Sequence, residues 1–149
     1  MIREPRVSDI EGLVLLLRKM HAETAYSAFE LSETRVRETL LEFLDQDRGF
    51  FGRVMVTSGE ISGVFFGHAS QLWFSDELCG FDDLWYVAPG SRGSLLSARM
   101  VREFAVWSRE RGCSAVLVGV SSGVMVDRTG LLLETLGFGR IGGLYRRHI

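Results

Sequence analysis

The chain has 149 residues, 46% of them hydrophobic and 24% charged, a balance that suits one compact domain around one sizeable core. Its net charge of −2, with acids and bases interspersed, leaves no electrostatic footprint for nucleic acid or an anionic membrane, and Arg146, Arg147 and His148 read as a solvated end. No apolar run is long enough to span a bilayer. Arg3, Glu4 and Arg6 argue against a signal peptide, and Cys79 and Cys113 lack metal-ligand spacing, so a reduced, cytoplasmic setting without a metal is expected.

After a short opening strand, Ser8 and Glu11 fit a capping box, with Val7 as the apolar residue before the cap. Ile10, Leu13, Val14, Leu17 and Met20 recur at helical spacing and predict a helix over about Asp9–Glu23. Ser32 caps a second helix whose Val36, Leu40, Phe43 and Leu44 share one face. The period then changes: Phe50–Val56 and Ile61–His68 are rich in β-branched and aromatic residues, and Ser58-Gly59 between them predicts a hairpin. A loop carrying Trp73 and Phe74, an aromatic pair suited to a groove lip, a lid or a dimer contact, leads to a third strand over about Phe81–Val87. Ser94 caps a long helix with Leu96, Met100, Val101, Phe104 and Trp107 on its inner face, and Gly112 follows its end.

Ala115–Val120 is a near-continuous apolar run, as expected of a strand buried on both faces. A short helix around Leu131–Leu136 stops at Gly137, and a strand around Leu144–Arg147 closes the chain. The expected architecture is α/β, an α+β mixed sheet in the order β-α-α-β-β-β-α-β-α-β, forming one domain over residues 1–149. The strand–helix–strand unit from Leu84 to Val120 should pair its two strands in parallel.

The stretch from Asp83 to Ser94 holds the strongest chemical signal. A strand breaks at Pro89, makes a Gly- and Ser-rich turn and feeds directly into a helix. Unsatisfied N–H groups at that helix N-terminus, together with its dipole, form a seat for a phosphate or pyrophosphate, to which Arg92 can add a positive charge. An ordinary strand-to-helix turn with a solvated arginine accounts for the same spacing equally well.

The element order, together with Val87-x-Pro89-x-x-Arg92-Gly93, resembles the GNAT acetyltransferases. So do Leu136-Gly137-Phe138 and Met20-His21-Ala22-Glu23-Thr24 followed by Tyr26, the latter similar to a segment of phage and bacterial members. The resemblance implies acetyl-CoA as cosubstrate, with its pyrophosphate on the turn formed by Arg92, Gly93, Ser94, Leu95, Leu96 and Ser97, and Tyr86 and Val87 aligning the pantetheine. It also implies an amine acceptor near the end of the first helix, and two copies pairing through the C-terminal strands. The sequence departs from the family pattern at Leu95 and Ser97, where glycines are usual, and at Leu133, where a proton-donating tyrosine is usual.

Amine acetylation needs a base. Asp83, placed by alternation on the same strand face as Trp85 and Val87, is one candidate, against a simpler reading as a satisfied strand-end carboxylate. His21 is the other, against a helix-dipole partner. Glu23 and Tyr26 are candidates for acceptor binding, and His68 reads as structural. The expected activity is transfer of an acetyl group from acetyl-CoA to an amine of a small molecule or protein. Leu95 and Leu133 favour the alternative, a catalytically degenerate GNAT-fold protein that binds CoA or a partner; a GNAT-like fold without a cofactor is the third reading.

Overall fold

The computed structural model describes residues 1–149, the side chain of Gln46 excepted. Strand β1 (Ile2–Arg3) precedes helices α1 (Ile10–Glu23) and α2 (Glu33–Phe43); three strands follow, β2 (Phe50–Thr57), β3 (Glu60–Gln71) and β4 (Leu78–Val87). Helix α3 (Leu95–Glu110), strand β5 (Ala115–Leu117) and helix α4 (Val126–Thr135) complete the elements. One sheet runs β1-β2-β3-β4-β5, antiparallel except for the parallel β4–β5 pair that the crossover through α3 requires.

Alternation along the strands divides the core between the two faces. Val54, Val64, Phe66 and Tyr86 meet Leu13, Val14 and Leu17 of α1 and Leu40 of α2. Phe51, Met55, Phe65 and Val87 meet Met100, Val101 and Phe104 of α3 and Leu133 of α4. Ser58 and Gly59 both have positive φ, 53° and 84°, the two-residue turn whose twist matches a right-twisted hairpin. Ser32 accepts from the Arg35 N–H at 3.3 Å, so the predicted cap of α2 forms.

The structure corrects three expectations. The start of α1 is not capped by Ser8 and Glu11. Val7–Asp9 form a 3-10 turn, Asp9 accepts the Arg6 N–H at 2.7 Å, and Val7 is 71% exposed rather than packed as a staple. The run Ala115–Val120 is not a strand buried on both faces: β5 ends at Leu117, where β4 and β5 separate, and Ala115, paired with Cys79 on the edge strand of the sheet, is exposed. The closing strand at Leu144–Arg147 is absent among the described residues. That segment is irregular and exposed, its Arg146 guanidinium donating to the Ala25 carbonyl instead of joining the sheet.

Candidate active site

The separation of β4 from β5 makes the site. The two strands pair only at Cys79–Phe81 against Ala115–Leu117, although β4 continues to Val87 against β3. Past that point a cleft of about 590 Å³ opens between the free edge of β4, the end of α1, the start of α3 and α4. All the site residues expected from sequence line it except His21 and Leu96.

Asp82 stands at the apex of the opening. Its Oδ1 accepts the Gly119 N–H at 2.8 Å, so a carboxylate takes over where the ladder stops. Burial pushes its carboxyl above the ordinary range, opposed by that hydrogen bond and reinforced by the neighbouring Asp83 charge. Sequence reasoning passed over Asp82. The reason is a bulge: Phe66 faces Leu84 and Gly67 faces Asp82, leaving Asp83 as the extra residue on β4. Strict alternation therefore fails, and Asp83 turns to the α1–α2 side with Leu84 rather than lying with Trp85 and Val87. Its Oδ2 lies 2.8 Å from His68 Nδ1, and the imidazole stacks on Phe81 with ring centroids 5.6 Å apart.

At the other end of the cleft, Gly93 with φ 79° turns the chain into α3, and no side chain caps that helix. The Ser94 hydroxyl points instead at Met55 Sδ, 3.9 Å away. The Ser97 N–H donates back to the Ser94 carbonyl at 3.3 Å, while the amides of Ser94, Leu95 and Leu96 precede any carbonyl partner in the helix and stand at the positive end of its dipole beside the cleft. Ser97 is buried and lines the cleft, Leu96 packs on the core cluster that α3 and α4 form with the sheet, and Leu95 is 84% exposed at the rim. Leu95 therefore neither turns into the core nor loses its backbone donor.

Arg92 lines the cleft with its guanidinium already partnered. Its Nε donates to the Val87 carbonyl at 2.9 Å, one Nη donates to the Glu23 carboxylate, and the guanidinium lies 5.7 Å from the Tyr86 ring centroid. The sequence could not reveal this, since Glu23 is 69 residues away. The Tyr86 hydroxyl is buried beside this pair, which acts on it electrostatically while neither member meets hydrogen-bond geometry. Burial first, then the Glu23 carboxylate, pushes its pKa up to about 12, so it stays protonated. Tyr26 donates to Ser121 Oγ at 2.7 Å, and the Ala25 N–H donates to the Ser122 carbonyl at 2.7 Å, joining α1 to the chain after β5.

His21 is not brought to the cleft. It lies off the helical face that presents Met20, Glu23 and Thr24, and its Nε2 sits 2.6 Å from the Phe29 carbonyl. Leu133, in the position where the resembled family has its tyrosine, is buried in the core between α3, α4 and the sheet. Trp73 and Phe74 contact each other in an exposed loop and do not line the cleft.

A mixed sheet between helix layers, whose parallel strand pair splays open above a helix N-terminus, is the fold of the GNAT acetyltransferases. Comparison with solved structures bears this out over the whole chain. The glucosamine-6-phosphate N-acetyltransferase of Arabidopsis thaliana superposes with a TM-score of 0.74 at 18% identity, covering 99% of this chain and 97% of that one. The aminoglycoside N-acetyltransferase AAC(6')-Iy in complex with CoA gives 0.75 at 15%, covering 100% and 95%. A transcriptional regulator from Bacillus halodurans gives 0.78 at 16%, covering 100% and 99%. No protein-family model and no curated protein sequence matches the chain. Similarity at this level defines the fold, and one fold carries many functions.

Proposed function

We propose that the chain, as a single domain over residues 1–149, is an acetyl-CoA-dependent N-acetyltransferase that moves an acetyl group to an amine of a small molecule or protein. The observation that carries this reading is the cleft where β4 and β5 part, ending on the uncapped N-terminus of α3. The Gly93–Ser97 turn, with the amides of Ser94, Leu95 and Leu96 open, suits a pyrophosphate, and the edge of β4 at Tyr86 and Val87 that β5 leaves uncovered, its Val87 carbonyl held by Arg92, suits pantetheine. Glu23 and Tyr26 shape the acceptor end.

In the reaction the neutral amine nitrogen bonds to the thioester carbonyl carbon, the C–S bond breaks, and its electron pair leaves on sulfur. Asp83, oriented by His68, takes the ammonium proton before attack, and the further proton the nitrogen sheds on forming the amide passes through solvent to the departing thiolate, giving free CoA thiol. Leu133 can donate nothing, and a thiolate of pKa about 8.5 can depart without a strong acid. The test is CoA thiol release with acetyl-CoA and a panel of a polyamine, an aminoglycoside and a lysine peptide. Turnover with one of them is expected, and Asp83→Asn should lower kcat about 100-fold while KM moves little. CoA binding without thiol release on any amine would instead favour a degenerate binding module, the reading that Leu95 at the rim and Leu133 in the core support.

A further inference from the structure

Arg128, on α4, lines the same cleft and brings one Nη against the Gly93 turn, 3.1 Å from where a Cβ on Gly93 would stand. Among the described residues it makes no hydrogen bond and no ion pair. Its contrast with Arg92 is direct: one arginine at this turn is held by Glu23 and the Val87 carbonyl, the other is unopposed. Gly93 is required for its φ of 79°, and the absence of a side chain there lets the Arg128 guanidinium approach the turn closely.

The geometry points to Arg128, not Arg92, as the side chain that grips a phosphate group of the nucleotide half of the cosubstrate. This rests on the acetyl-CoA reading above. A guanidinium beside a row of free amides completes a fork-shaped anion site, because its donors reach the non-bridging oxygens that a backbone turn leaves uncovered. No sequence signal marks Arg128, since an arginine on an exposed helix face ordinarily reads as solvated.

The test is calorimetric titration of the full chain with CoA, with dephospho-CoA and with inorganic pyrophosphate. Arg128→Ala should weaken CoA binding about tenfold, with Arg128→Lys intermediate and the unfolding temperature of the free protein unchanged. An equal loss for CoA and dephospho-CoA assigns the grip to the pyrophosphate; a loss confined to CoA assigns it to the 3′-phosphate; both support the inference. CoA binding equal in Arg128→Ala and wild type overturns it and leaves the cofactor reading intact. A wild type that binds neither CoA nor pyrophosphate overturns both.

Discussion

The Asp82 carboxyl is held above its ordinary value, chiefly by burial. A carboxyl whose folded pKa is raised is more protonated in the folded chain than in the unfolded one. Stability is therefore lost as pH rises from about 3.8 through the folded value, and the penalty is constant above it. Asp82→Asn carries no such penalty and can still accept the Gly119 N–H through its amide oxygen. Denaturant unfolding between pH 3.5 and 7 should show the variant gaining on wild type through that window and level beyond it. A pH-independent difference would mean that the Asp82 carboxylate is solvated. Because Asp83 carries the proposed base role, Asp82→Asn should keep most of the turnover that Asp83→Asn loses.

At the scale of elements, the bulge that frees Asp83 coincides with a tight contact. A Cβ on Gly67 would stand 2.7 Å from the Phe104 ring and 2.7 Å from the Phe81 carbonyl oxygen, so α3 seats on the sheet only where β3 has no side chain. Phe104 is fully buried and the carbonyl is backbone, so neither can yield cheaply. Gly67→Ala should cost about 2–3 kcal/mol in chemical denaturation, whereas Gly130→Ala, inside α4 with nothing near the added Cβ, should stabilise by about 0.5–1 kcal/mol. What the sequence made legible follows the same line. Helices α1 to α3 and the hairpin announce themselves because their periodicity and turn chemistry are local. Ala115–Val120 misled because an apolar run reports composition and not whether a layer covers it. The face of Asp83 misled because a bulge adds a residue without a residue-type mark. Asp82, the Arg92–Glu23 pair and Arg128 depend on contacts far apart in sequence, which spacing does not carry.

For the whole molecule, an opening between two strands has to be held without ladder bonds, and side chains supply the struts. Arg92 ties the turn after β4 to the end of α1 through Glu23, while Tyr26 and Ala25 tie α1 to the chain after β5. Removing Arg92 leaves the Val87 carbonyl and the Glu23 carboxylate without this donor; their partner was only partly exposed, with 22% of its side chain accessible. Arg92→Ala should therefore destabilise the free protein by about 1–2 kcal/mol, allowing for solvent screening of the pair. At this chain length that is a fall of roughly 2–4 °C per kcal/mol in unfolding temperature. A ligand at about 100 times its Kd adds about 2.7 kcal/mol, and the comparison is made at that fixed ratio and again at equal concentration. If Arg92 is a strut, CoA raises the unfolding temperature of Arg92→Ala by nearly the wild-type increment at equal concentration, because the α3 amides and Arg128 are untouched. A collapsed increment at equal concentration, recovered at the fixed ratio, would return Arg92 to the phosphate site and make its bond to Glu23 a resting state that the ligand displaces.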